Sequence, residues 1–455
     1  MPKSTELPQT LTLDEALRIF HERGLELLIA EANVRNAEGA VKIAGAVPNP
    51  GMSATWGKAF TYTPNDPSCG WGGGAGYGPA PNAAPGNYAK CGSWSWNVTV
   101  SDNAALEDTL SGKRDLRQKV ARNALAAAKM SRVDADRTLT FQVKAAYLQV
   151  AQAVLGLKFA QAVADSNVTL LEKVRVWLRE GKSGITDADV ARMETQKSES
   201  DQALDTARET LRQARVGLAF LLGVRGEVPD FDVDTHVLDY RVPSGLADAT
   251  EVGLLRAAFS HRPDLVAAGY NLYSAEAQLS LIKRQRFPDV AVSLGYTGGG
   301  LGSAQYGGSG TNAPSAEPTF IFGVSGTLPI FYQLQGETRQ AEAAVDTNAL
   351  QQAVTTKQVV TDVDTAYVAF VTTQKLVNRM ERGEPEGKVR PILQSAKVAL
   401  DITRLQWERG AASLTDFLLA LQTYIAIKVE YNADLTNYWT AVYELEEAVG
   451  TELHQ

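Results

Sequence analysis

Glu26-Leu27, Ala37-Glu38, Pro50 and Gly57 recur as Asp264-Leu265, Ala275-Glu276, Pro288 and Gly295, each landmark 238 positions after its counterpart. Four landmarks in one register mark a duplication, and a duplicated chain has to be read as two copies of one unit. Further on, Gly181-Lys182-Ser183-Gly184-Ile185-Thr186-Asp187 is echoed by Gly410-Ala411-Ala412-Ser413-Leu414-Thr415-Asp416, and Leu222-Gly223 by Val449-Gly450. The offset there is about 228, so small deletions separate the copies. The first repeat covers 1–223 and the second 245–455, joined by a connector at 224–244 rich in Pro, Asp and Val. Although 455 residues would ordinarily suggest about three domains, two similar halves replace them.

Each half reads as helix, strand, long loop, strand, very long helix, short break, helix. The strands, at about 51–63, 93–102, 289–298 and 318–329, alternate with period two. Met52, Ala54, Trp56, Phe60 and Tyr62 alternate with Ser53, Thr55, Gly57, Ala59 and Thr61; Trp94, Trp96, Val98 and Val100 alternate with Ser95, Asn97, Thr99 and Ser101. Val290, Val292, Leu294 and Tyr296 repeat the pattern, as do Phe320, Phe322, Val324 and Leu328, with Ile321 the exception. Such strands fit a soluble sandwich whose apolar faces meet in a core. They also fit a membrane barrel. Three features favour the barrel: aromatic residues on the apolar faces, lengths near the ten or so residues of a tilted membrane strand, and opposite faces of Ser, Thr and Gly suited to a wet lumen. The glycine-rich loops Pro64 to Gly92 and Gly298 to Pro318 join the strands into two hairpins.

The helical hairpins occupy 113–223 and 337–450. No proline occurs between Pro85 and Pro229, and strong helix formers dominate from Lys113 onward. A helix from about Lys113 to Arg179 would be roughly 100 Å long at 1.5 Å per residue. Gly181 and Gly184 end it, and Asp187 and Asp189 suit the first turn of the returning helix. In the second copy Gly383-Glu384-Pro385-Glu386-Gly387 and Pro391 interrupt the long helix, which predicts a kink or side feature that the first half lacks.

Composition narrows the function classes. Charged residues are 21%, hydrophobic residues 44% and the net charge −8, from 44 Lys+Arg against 52 Asp+Glu. This excludes a disordered chain and a basic nucleic-acid binder. No apolar run is long enough for a membrane helix, and the mean hydropathy is −0.16; a β-barrel leaves little trace in such an average. Met1 to Thr10 has no apolar core behind a basic start, although a processed chain would look the same. Cys69 and Cys91 lack zinc-site spacing and share one loop, where a disulfide competes evenly with two free thiols. His21, His236, His261 and His454 are scattered, the five methionines do not cluster, and no phosphate loop, nucleophile elbow or dinucleotide fingerprint appears. The expectation is no catalytic residue, no metal site and no cofactor.

Leu11-Thr12-Leu13-Asp14-Glu15-Ala16-Leu17, the Ala37-Glu38 and Ala275-Glu276 helices leading to Pro50 and Pro288, and the paired Gly-x-x-x-(Ile/Leu)-Thr-Asp turns resemble the outer-membrane efflux protein family typified by TolC. The resemblance covers nearly the whole chain. It implies a mainly α fold with a membrane β-barrel. Four strands per chain would join in a homotrimer as a twelve-stranded barrel in outer-membrane lipid, continuous with a long α-helical barrel in the periplasm of a Gram-negative bacterium. It also implies a passive exit duct of a tripartite efflux pump or type I secretion system, partnered by a periplasmic adaptor (membrane fusion) protein and an inner-membrane pump. The alternative is a soluble periplasmic coiled-coil scaffold without channel activity.

The far ends of the long helices are the expected adaptor-docking surface: Gly181, Ser183, Gly184, Ile185, Thr186 and Asp187 in one turn, and Gly410, Ala411, Ala412, Ser413, Leu414 and Thr415 in the other. Small residues admit another helical tip, with Ile185 and Leu414 as apolar anchors. Asp416 stands where the family narrows its periplasmic end with acidic residues, while Leu419 occupies the place of a second acid found in some members. Asp187 and Asp416 equally suit simple helix N-terminal roles.

Overall fold

In a computed structural model, residues 6–61, 91–181, 185–247, 249–301, 319–327, 329–383 and 390–453 are described. Cys69, Ser183, Gly184, Leu328 and His454 lie outside the described residues, and with Cys69 so does the expected Cys69–Cys91 bridge. The chain runs β1 (Thr10–Leu11), α1 (Leu13–Arg23), α2 (Leu25–Gly45), β2 (Gly51–Thr61), β3 (Cys91–Ser101), α3 (Ala105–Leu110), α4 (Lys113–Arg179) and α5 (Asp187–Leu221). After β4 (Asp232–Val233) the order returns as α6 (Glu251–His261), α7 (Pro263–Arg284), β5 (Val290–Leu301), β6 (Thr319–Gly326), α8 (Gln335–Glu381), α9 (Ile392–Glu408) and α10 (Leu414–Val449).

Local chemistry sets most of these boundaries. Thr12 and Glu15 form a reciprocal capping box at the start of α1. Pro263 begins α7, where a missing amide costs nothing. The proline-free run in the first half, rich in helix formers and with Gly156 the one glycine in it, gives the single 67-residue α4. In the second half the expected kink is a complete break: α8 stops at Glu381, the amides of Arg382 and Gly383 both donate to the Asn378 carbonyl, and Pro391 caps α9. Strand β6 ends at Gly326, short of the expected 329, where the chain passes close to the Asp289 carbonyl and nears Pro329, which has no amide to donate. The sequence marks the connector only as a stretch rich in Pro, Asp and Val, with no regular element assigned to it. Instead, its β4 pairs in parallel with β1, and a two-residue strand is too short to show any periodicity.

Packing divides the chain into two compact units that cut across the repeats. The first comprises Met1–Ala37, Leu125–Asn271 and Ala349–Gln455. Its core gathers Tyr147, Phe231, Phe370, Tyr438 and Trp439 from α4, the connector, α8 and α10. The Tyr147 hydroxyl donates to the Leu11 carbonyl at 2.8 Å and accepts from the Asp234 amide at 3.0 Å, holding the connector against α4. Two buried cations brace the same core: Lys144 on Glu446 at 2.9 Å, and Arg262 on Asp264 at 2.7 Å and Asp362 at 2.8 Å. The second unit, Glu38–Ala124 and Leu272–Asn348, carries an antiparallel four-stranded sheet in the order β2-β3-β5-β6.

Candidate functional site

The sheet register puts Gly51 opposite Ser101, Ser93 opposite Leu301 and Val290 opposite Gly326, so odd-numbered residues of all four strands share one face and even-numbered residues the other. The even face is apolar and bare. Met52 is 75% exposed, Trp56 69%, Phe320 73% and Phe322 70%. A soluble sandwich would have buried these side chains against a second layer. Aromatic residues cross this face as a row: Trp56 opposes Trp96, the Trp96 and Tyr296 rings are 5.2 Å apart, and those of Tyr296 and Phe320 are 4.9 Å apart. Cross-strand aromatic pairs pin register as well as forming a girdle. The odd face is small and polar. There Asn97 donates to Thr297 at 2.7 Å and accepts from Thr99 at 2.7 Å.

Below the sheet the chain turns from strand to helix through a dense polar joint. Asn103 and Ala104 both adopt left-handed backbone conformations, with φ 49° and 62°. Asp102 holds the kink by accepting from the Val292 amide at 2.7 Å and from the amides of Ala104 and Leu106 at 3.2 Å each. Lys113, 3% exposed, ends on Asp289 at 2.7 Å, the Phe287 carbonyl at 2.8 Å and Glu107 at 3.0 Å. These bonds fix the start of α4 against the start of β5.

At the other end of the long helices, Gly181 and Gly410 each terminate a helix with positive φ, 69° and 78°. The returning helices start with matching capping boxes: Thr186 with Asp189 for α5, and Ser413 with Asp416 for α10. By geometry, then, the partner of Asp416 is Asp189; Asp187, which aligns with it by counting from the glycines, sits two residues earlier. The first turn is two residues longer than the second, which the glycine-to-aspartate spacing alone conceals. Asp416 Oδ2 accepts from the Ser413 hydroxyl at 2.7 Å and its amide at 3.1 Å, and these bonds hold the exposed carboxyl below the usual aspartate range.

Beneath the turns lies a separate apolar cluster of Leu171, Val174, Met193, Trp407, Leu414 and Phe417. Trp407 stacks on Phe417 at 4.9 Å and meets Trp177 at the same distance. Leu414 is only 4% exposed and Ile185 packs half-buried on the cluster. The reading of Leu414 as an anchor for a partner is therefore corrected: it holds the tip together, because it enters a helix whose apolar side faces Trp407. Gly181, Thr186, Asp187, Gly410, Ala411, Ser413, Thr415 and Asp416 are exposed. Thr415 also accepts from Arg192 at 3.3 Å, and Gln422 donates to Gln196 at 3.0 Å, so the starts of α5 and α10 are laced together. An open groove of about 520 Å³ runs between α9 and α10, its floor made by Ala399, Ala411 and Ala412 and its rim by Thr403, Asp416 and Leu419. Asp189, Trp407 and Arg192 were not singled out as site residues from sequence. The capping pattern Thr186-x-x-Asp189 matching Ser413-x-x-Asp416 was the signal that could have found the first.

The profile of the family described as "Outer membrane efflux protein" matches residues 18–224 and 254–451. The chain is 25% identical over 425 residues to the pyoverdine export outer membrane protein OpmQ of Pseudomonas aeruginosa, covering 91% of this chain and 80% of that one. It is 24% identical over 358 residues to the cobalt-zinc-cadmium resistance protein CzcC of Cupriavidus metallidurans, covering 77% of each. Its fold matches a crystal structure of CusC, from a study of conformational changes accompanying folding and transmembrane channel formation, with a TM-score of 0.71 at 17% identity over 99% of this chain and 97% of the other.

Proposed function

We infer how this protein is assembled and engaged from one premise: the chain belongs to the outer membrane efflux protein family, as an outer-membrane efflux channel reaching into the periplasm and not an enzyme. One observation carries the assembly. The sheet has a bare apolar face and two open edges, β2 and β6, and no open edge is tolerated in lipid. Channels of this kind are trimers, and three copies of four strands close a twelve-stranded barrel with the odd faces inward, wide enough to leave a passage. Purified in detergent, the protein should have the mass of three chains. A monodisperse monomer would reject this assembly.

The helix turns are the docking surface for a periplasmic adaptor, which links the channel to an inner-membrane pump. Exposed small residues at Gly181, Gly410 and Ala411 and the alanine floor of the α9–α10 groove let another helical tip approach the backbone, and three chains present six such turns. Ala412 and Thr186 belong to the same surface, and Asp416, repeated threefold, narrows the entrance and favours cations. Bulky residues at Gly181 or Gly410 should abolish export. Because positive φ strains any side chain there, Ala411→Trp is the cleaner test: export lost, trimer intact. Full export in Ala411→Trp would remove the groove from the docking surface. Asp416→Asn should raise resting conductance or shift ion selectivity in planar bilayers.

Cargo selection belongs to the pump. OpmQ and CzcC, nearly equal in identity to this chain, are named for pyoverdine export and for cobalt, zinc and cadmium resistance. Names that differ so widely among relatives of one build suit a duct that does not itself choose its cargo.

A further inference from the structure

The odd-numbered residues of the four strands are Gly51, Ser53, Thr55, Gly57, Ala59 and Thr61; Cys91, Ser93, Ser95, Asn97, Thr99 and Ser101; Ala291, Ser293, Gly295, Thr297, Gly299 and Leu301; and Thr319, Ile321, Gly323 and Ser325. None carries a charge. The strands' one residue charged at neutral pH, Lys58, has an even number and pairs with Trp94 in the register. Some polar groups of the odd face satisfy one another: Asn97 bridges Thr297 and Thr99, and the Ser293 hydroxyl donates to the Gly323 carbonyl at 3.4 Å. Glycines keep the wall thin where these bonds form. A Cβ on Gly323 would stand 2.6 Å from the Ser293 hydroxyl, and one on Gly295 would stand 3.2 Å from the Thr99 hydroxyl.

The other charges stand outside the strands, at the joint, along the helices and, as Asp66, Lys90 and Glu317, in the sequence that joins the strands of each hairpin. At the joint they are already matched: Asp289 and Glu107 lie on Lys113, and Arg117 on Asp108. A wall of neutral hydroxyls and amides, some of them bonded to each other, gives a permeating ion hydrogen-bonding contact without a field of either sign. We propose that the strand-lined part of the conduit is charge-indifferent, passing hydrated solutes of both signs alike, and that any ionic selectivity of the channel arises in its helical part. This rests on the reading that the odd faces line a lumen, and the test separates the two.

In a Cys69→Ser, Cys91→Ser background, single cysteines are placed at Thr297 on the odd face and at Phe322 on the even face, and the trimer is reconstituted in phospholipid vesicles. Each is reacted with a cationic and an anionic methanethiosulfonate of similar size. The expected result is that the cysteine at 297 reacts and the one at 322 does not, and that the cationic-to-anionic rate ratio at 297 is within about twofold of that of a free thiol in the same buffer. A preference of about tenfold or more for either sign at 297 would overturn charge indifference while leaving the lumen reading in place. Reaction at 322 without reaction at 297 would overturn the lumen reading, and the proposal with it.

Discussion

Asp416 caps α10, and its chemistry separates that job from the gating proposed for it. As a capping residue it is fixed by Ser413, and the same bonds hold its carboxyl below the usual range. A group with a depressed folded-state pKa contributes while ionised; that contribution is present above the ordinary aspartate value of about 3.9 and is lost as pH falls through the lowered one. A gate built on Asp416 should thus show resting conductance flat from about pH 7 to about pH 5, changing only in stronger acid. A step between pH 6 and 5 in bilayer recordings would assign the gate to another group. Tyr147 makes a purely structural counterpart. Burial pushes its hydroxyl up to about 12, and it serves Leu11 and Asp234 together. Tyr147→Phe leaves that carbonyl and amide wanting, which should cost about 1–3 kcal/mol in urea unfolding, with export retained in the folded fraction. Of these two residues the sequence shows the first, through its place after Gly410. Tyr147 is one tyrosine in a helix of 67, and only the fold brings the connector to it.

At the scale of elements, the strands were legible because one pleat period separates two chemistries, and the register confirms that odd and even residues never share a face. That reading makes a paired prediction on β5. Leu294→Lys puts a charge on the lipid face and should cost up to about 2–4 kcal/mol near the bilayer midplane, lowering the yield of folded trimer. Ser293→Lys, one residue away, should fold normally. Equal yields would show that the two faces are not differently solvated. The long helix α4 was legible to its ends, since nothing between Lys113 and Arg179 breaks a helix. The interruption between α8 and α9 was legible too, through Gly383, Gly387 and Pro391. What escaped were features made by position rather than pattern: the β1–β4 pair and the inward turn of Leu414. A glycine-to-aspartate count also aligned Asp187 with Asp416, where the capping boxes align Asp189. Ser413→Ala removes one of those caps and should cost about 0.5–2 kcal/mol, read as faster hydrogen exchange at the start of α10.

For the molecule as a whole, the duplication gives one chain two turns of similar build but unequal length, so the proposed adaptor docking would occur twice per chain. The copies have diverged: α4 is unbroken while its counterpart is divided into α8 and α9, and the groove described lies at the second turn. Adaptor tips docking at the two turns would therefore meet related but distinct surfaces. The sheet imposes a stronger demand than either turn, since its open edges and bare apolar face make the single chain an incomplete object. The most direct test of this account is conductance. Protein extracted in detergent and added to a planar lipid bilayer should insert as trimers and give discrete ion-conducting steps, with Asp416→Asn steps larger or differently selective. A chain that stays monomeric and soluble without detergent, and leaves the bilayer silent, would contradict it.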